Sequence, residues 1–417
     1  MLVSTLPYLT DISLLALILL AGVLVSVFSL RFKLPDILLL IILGIFFSNF
    51  FSFPLSFLAS LSIFALVMII FDSTSRFKLE EVNKLFPYSI KLVALFFIFN
   101  LIFLTFFTHF LFSWEFTIQA FLISALFAAL MSGTDSSSVL SLLSVKKHRT
   151  NEILEFESII NTPITLLVPL IIIDFYQGVL ETNIVLQTFA QNIMTGIGTG
   201  LVLGLIVFRL MKKNYIWNLS SLVLIAVALI AYSLAEFIGG SGVLAVTTLG
   251  MVFAVSVIRE KVELEKFSGI FTNFLRIIAF ILVGLIIKEP LAKAGFDALF
   301  IIKSILLFIV YIMIRYLAVR IASYHLNLSS KEKWYMALNV SKGMSVAIII
   351  FILSKIEIPG LVTVLTLSFL FMIYSIVVAS ITTRFAGHFL GKNVELKQLK
   401  HPKVETPMPK RKLKKKT

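Results

Sequence analysis

The sequence predicts an all-α membrane protein with about thirteen transmembrane helices, and three observations carry that reading. Of 417 residues, 59% are hydrophobic and only 14% charged, against roughly half and a quarter in soluble domains. The mean hydropathy is +1.04 over the whole length, which excludes a soluble globular or disordered chain. Apolar runs recur from end to end, and Lys and Arg concentrate in every second connection between them.

Taken in order, the runs lie near 10–30, 35–51, 55–74, 87–112, 117–145, 152–176, 185–208, 216–235, 239–258, 268–287, 296–320, 333–354 and 361–384. The opening MLVSTLPYLTDIS has no basic stretch and no small-residue cleavage site. It therefore reads as the flank of the first span and not as a removable signal. Alternate connections hold Arg31 and Lys33; Arg76, Lys78 and Lys84; Lys146, Lys147 and Arg149; Arg209, Lys212 and Lys213; Arg259, Lys261 and Lys266; Arg320, Lys331 and Lys333. The intervening ones hold only Lys288, Lys293 and Lys355. Positive charge stays in the cytoplasm, so the N-terminus is expected outside and the C-terminus inside the plasma membrane. Residues 1–390 form the transmembrane domain. Residues 391–417 form a basic cytoplasmic tail expected to be disordered, which either anchors the topology or binds anionic lipid headgroups.

Composition also removes whole classes of function. With no cysteine, disulfides, iron–sulfur clusters and cysteine-bound zinc are excluded. The five histidines show no paired metal-ligand spacing. The net charge of +14 does not indicate nucleic acid: ten Lys/Arg less Glu395 and Glu405 leave eight of those charges in the tail, and the rest sit in short loops. The Ser-rich run Gly133–Ser138 offers no histidine or lysine base at helical spacing, so an intramembrane enzyme is not expected.

Charges inside apolar spans are costly and mark function by default. The fifth span, SALFAALMSGTDSSSVLSLLSV, is interrupted at Gly133–Ser138, which suits a helix broken around a hydrated cavity. Asp135 would answer the positive end of a half-helix; the plainer alternative is a serine-rich packing face. In the sixth span Glu157, Asn161 and Thr165 fall at i, i+4 and i+8, beside Ser158 and Thr162. These polar groups either line a site or merely bond neighbouring helices, but a buried Glu157 requires a cation. The twelfth span is interrupted at Asn339, Ser341, Lys342 and Gly343, and Lys342 is the expected partner of Glu157. Breaks at matching positions, five and twelve, predict two inverted six-helix repeats, about 10–176 and 216–384, joined by a linking helix at 185–208. Asp72 near the end of the third span is either a surface carboxylate or part of the site, and Glu236 reads as an interfacial acid. Gly196, Gly200 and Gly204 permit close helix approach, within the chain or between copies.

Taken together, four segments resemble the sodium/proton exchanger branch of the monovalent cation:proton antiporter superfamily. They are LPDILLLIILGI at 34–45, TD at 134–135 followed by ESxxN at 157–161, GGSGVLAVTTLG at 239–250, and SKG at 341–343. The resemblance implies an ion and proton site at Thr134, Asp135, Ser158, Asn161, Thr162 and Asp72. It also implies a structural charge pair of Glu157 and Lys342, with Arg315 as a supporting charge. Lys342 stands where the family has an arginine. The family's alternately cation- and proton-binding aspartate is replaced by Thr162, whose hydroxyl does not titrate near neutral pH. The resemblance further implies a homodimer that moves Na⁺, K⁺ or Li⁺ against H⁺, with Na⁺ only at the ion site and no resident cofactor. Asp135, then Asp72, becomes the expected titrating group. The competing expectation is a pseudo-transporter, regulator or carrier of another solute with the same fold.

Overall fold

The computed structural model describes residues 7–32, 36–50, 55–76, 79–112, 115–135, 148–178, 182–213, 217–258, 261–294, 297–354 and 356–391. Among these every regular element is helical, and none is a strand. The helices are α1 (Pro7–Phe32), α2 (Asp36–Phe47), α3 (Leu55–Ser75), α4 (Leu79–Phe99), α5 (Thr105–Phe112), α6 (Ile118–Leu130), α7 (Arg149–Tyr176), α8 (Thr182–Lys213) and α9 (Trp217–Phe237). They continue as α10 (Gly242–Val255), α11 (Lys261–Ala294), α12 (Ala298–Ala322), α13 (Ser330–Leu338), α14 (Met344–Leu353), α15 (Leu361–Arg384) and a final short α16 (Ala386–Leu390). A π-helical turn, Asn100–Leu104, joins α4 to α5. Among the described residues seven helices are long and apolar enough to cross a bilayer, and five shorter helical segments are also apolar. The chain is therefore a multi-pass integral membrane protein. Several helices outrun their apolar cores: α11 runs 261–294, past the predicted 268–287, because flanking polar turns continue the same backbone hydrogen bonding.

The first core is made by close backbone approach. Helix α2 lies along α11, where a Cβ at Gly44 would overlap the Ile281 carbonyl and one at Gly284 the Ile41 carbonyl. Asp36, buried at the head of α2, accepts from the Ile37 amide at 2.9 Å and faces the Arg276 guanidinium of α11 at 3.6 Å. The glycine stripe of α8 packs within the chain. A Cβ at Gly196 or Gly200 would strike the Ser241 or Ala245 carbonyl, and one at Gly204 would come 3.0 Å from the Val252 side chain. Glu236 does not simply face an interface: its carboxylate accepts from the Gly242 amide at 2.8 Å and so caps α10.

Helix α7, which carries candidate site residues, and α13, which leads into the break at Asn339, are tied at their starts. His148 Nδ1 accepts from the Thr150 amide at 3.3 Å and caps α7. Its Nε2 lies 3.7 Å from Glu332, which closes a capping box with Ser329 at the start of α13. Burial lowers the His148 pKa below the usual 6.5; Glu332 and Glu152 oppose this, and Arg149 adds to it. The fold thus favours the neutral ring, which alone can cap. As pH falls through 6.5 the unfolded chain takes up the proton first, so stability declines until the folded ring also titrates. Acidification from pH 8 to 5.5 is therefore expected to lower the melting temperature of the wild type more than that of His148→Asn. The asparagine keeps a cap of about 1 kcal/mol without titrating. Equal pH slopes in the two proteins would contradict this assignment.

Candidate functional site

The site is built where two helices stop in mid-course. Helix α6 ends at Leu130, and Gly133–Asp135 continue without helical structure. Predicted Ser136–Val145, the remainder of that span, lies outside the described residues. In the twelfth predicted span α13 ends at Leu338, Asn339–Gly343 are extended or irregular, and α14 begins at Met344. The two non-helical segments cross and bond to each other. The Asp135 amide donates to the Ser341 carbonyl at 2.7 Å, and the Ser341 hydroxyl donates to the Asp135 carbonyl at 2.7 Å. Gly343 makes the crossing possible, because a Cβ there would overlap the Asp135 carboxylate.

Each segment supplies the charge that the other's helix end lacks. The carbonyls left free after α6 are negative, and Lys342 Nζ donates to those of Met131 at 2.6 Å and Gly133 at 2.5 Å. Its third proton goes to the Tyr311 hydroxyl at 2.6 Å. Conversely, the Asp135 carboxylate stands against Gly343, the cap residue at the positive start of α14. Asn339 closes the other break: its amide donates to the Tyr335 carbonyl at 2.9 Å, and its oxygen accepts from Thr383.

Beside the crossing, α7 presents the predicted polar face. Thr134 donates to Glu157 at 3.2 Å and accepts from the Asn161 amide at 2.7 Å. Thr165, against which Gly133 packs, donates to the Asn161 carbonyl. The Ser158 hydroxyl donates to Leu154 at 2.9 Å and Thr162 to Ser158 at 2.6 Å. Each hydroxyl thereby turns its lone pairs outward. The side-chain oxygen of Asn161 is buried with no hydrogen-bond donor among the described residues.

The expected Glu157–Lys342 pair is corrected. Glu157 is held by Arg315, whose two terminal nitrogens each reach one carboxylate oxygen at 2.5 Å, with both side chains fully buried. A planar guanidinium fork fits a carboxylate on both oxygens, whereas the compact ammonium of Lys342 suits converging carbonyls. The Arg315 guanidinium also lies 4.6 Å from the centre of the Phe96 ring. Asp72 is placed apart from this network: on the last turn of α3 it pairs with Arg76 at 2.9 Å, and Arg76 reaches on to the Glu265 carbonyl. Residues that the sequence reading passed over include Tyr311, Ser375, whose hydroxyl accepts from the Lys342 amide at 3.1 Å, and Asn100, whose amide reaches the Met131 carbonyl at 3.3 Å. Tyr311 was within reach, one turn before Arg315 on the same helix face.

The two non-helical segments thus cross among two buried cations, Lys342 and Arg315, and two carboxylates, Asp135 and Glu157. Residues 15–387 match the family model described as sodium/hydrogen exchanger, transmembrane, so the chain belongs to that family. The family is one of membrane antiporters, which are transporters and not enzymes. Over 135 residues, 31% of the chain, it is 34% identical to the low-affinity Na⁺/H⁺ antiporter NhaS1 of Synechocystis sp.. That stretch spans only 25% of NhaS1. The fold is similar to that of the sodium/proton antiporter MjNhaP1 of Methanocaldococcus jannaschii at pH 8, with a TM-score of 0.76 and 20% identity over 90% of this chain and 99% of that one. An electron-microscopy structure of MjNhaP1 gives a TM-score of 0.72 and 19% identity, over 91% and 97% of the two chains.

Proposed function

We propose that the chain exchanges a monovalent cation, Na⁺ or else K⁺ or Li⁺, for H⁺ by alternating access. The observation that carries this reading is the Asp135 carboxylate, held at the start of α14 on backbone that is not helical. Glu157, the fully buried carboxylate beside the crossing, is neutralised by Arg315, so it is a structural charge. In this reading Asp135 is the group that takes cation and proton in turn. Thr134, Ser158, Asn161 and Thr162 offer the oxygens that a hard cation prefers. With Asp72 tied to Arg76, its part is secondary.

In this reading the thirteen spans form two inverted repeats, the N-terminus lies outside, and the protein works as a homodimer in the plasma membrane, its tail against anionic lipid. Proteoliposomes carrying Na⁺, K⁺ or Li⁺ gradients are expected to show proton counterflow with at least one ion; no counterflow with any would overturn the proposal. A second reading, a pseudo-transporter, is favoured by Thr162 alone, whose hydroxyl donates to the Ser158 carbonyl and carries no charge. Exchange that appears only in Thr162→Asp would select it.

A further inference from the structure

The π-helical turn after α4 and the helix that follows it carry a row of polar groups that the exchange chemistry above does not use. Asn100, Thr105, Thr108 and His109 are 0%, 0%, 3% and 7% exposed, inside a segment that is otherwise mostly Phe, Leu and Ile. In each, one polar atom has no hydrogen-bond partner among the described residues: Asn100 Oδ1, Thr105 Oγ1, Thr108 Oγ1 and His109 Nδ1. This is not how threonine is treated elsewhere in the fold. Thr74, Thr165, Thr247 and Thr366 all donate to the carbonyl four residues back. The π turn alters that register, for the Thr105 amide bonds the Asn100 carbonyl five residues back.

The two ends of the row meet the α6 segment, which runs antiparallel to it. At one end the His109 ring packs on Phe121 and Phe116, with centroids 5.8 and 5.6 Å away. At the other, the Asn100 amide donates to the Met131 carbonyl, the same carbonyl that Lys342 grips. Within α6, buried Ser124 donates to the Ala120 carbonyl and keeps its lone pairs as acceptors. The ends are nine residues apart, about 13 Å of helix. Four unpartnered polar atoms along such a length cost several kcal/mol if dry, and ordered water is the usual remedy in protein interiors.

We propose that this row is a file of hydrogen-bonded water between α5 and α6 that carries protons from the Phe112–Phe116 side of the membrane to the Met131 end of the crossing, four residues from Asp135. The proton enters beside His109 and passes to the Asp135 carboxylate only while the site is open to that side, as alternating access requires. The inference rests on the exchange reading for the proton's destination, but not for the hydration itself.

The absence of cysteine from the chain makes the test direct. Thr105→Cys and Thr108→Cys, reconstituted in liposomes, are treated with Ag⁺ and a small methanethiosulfonate. The lipid-facing controls are Ile102→Cys and Phe106→Cys, which are 57% and 61% exposed. The row positions are expected to react at least tenfold faster than the controls; equal or slower reaction overturns the proposal. A second arm uses Thr105→Val with Thr108→Val, near-isosteres that remove both hydroxyls. Proton-coupled turnover is expected to fall about tenfold, with cation affinity by calorimetry unchanged. Unchanged turnover, or a loss explained by weaker cation binding, overturns the proton route. If the wild type exchanges nothing, the exchange reading and the proton assignment fall together, while the labelling still decides whether the row is wet.

Discussion

Arg315→Met is expected to destabilise the detergent-solubilised protein by about 3–5 kcal/mol, because it leaves Glu157 charged, buried and without its cation. Both partners are fully buried and joined through both carboxylate oxygens, so water cannot replace the lost guanidinium. Adding Glu157→Gln to Arg315→Met is expected to recover much of the loss. The glutamine oxygen still accepts from Thr134, and no unpaired charge remains. The same Glu157→Gln change does not rescue Lys342→Met, since Lys342 serves the Met131 and Gly133 carbonyls. Thermal or denaturant unfolding of the five variants makes a double-mutant cycle. Rescue of Lys342→Met in place of Arg315→Met would return the pairing to the one read from sequence.

Gly343→Val is expected to reduce exchange by at least a hundredfold while leaving helix content intact. The reason is contact and not backbone strain, for Gly343 has φ −113°, a value open to any residue. Its Cβ, however, falls on the Asp135 side chain, so the two segments must part. Overpacking of this kind costs about 1–3 kcal/mol, and separation also breaks the two 2.7 Å bonds between Asp135 and Ser341. Gly387→Ala, which meets nothing within 4 Å, is the matched control. Exchange by Gly343→Val at the control rate would show that the crossing is not needed for transport.

Much of this molecule was legible in its sequence, for a stated physical reason. A bilayer core forces hydrophobic length and excludes unpaired backbone, so spans announce themselves, and polar runs such as 133–138, described as far as Asp135, and 339–343 announce breaks. Helical spacing likewise placed Glu157, Asn161 and Thr165 on one face, where they sit. Pairing between spans was not legible. Nothing in the one-dimensional order distinguishes Arg315 from Lys342 as the partner of Glu157, and the choice follows from fork against point charge once the helices are packed. Asp72 illustrates the same limit: its neighbour Arg76 stands four residues on, but whether the carboxylate turns to it or to the site is a matter of tertiary placement. Asn100 and Tyr311 gave no signal by type, since both are ordinary residues at helix interfaces.

The most direct test of Asp135 as the exchanging carboxylate is Na⁺-driven proton movement in everted vesicles, wild type against Asp135→Asn, at matched expression. Asparagine keeps the size and the backbone bonds to Ser341 but binds neither proton nor cation as a carboxylate does. Loss of at least a hundredfold is expected, with melting temperature near that of the wild type. Proton movement at the wild-type rate would contradict the assignment and return the search for the titrating group to Asp72.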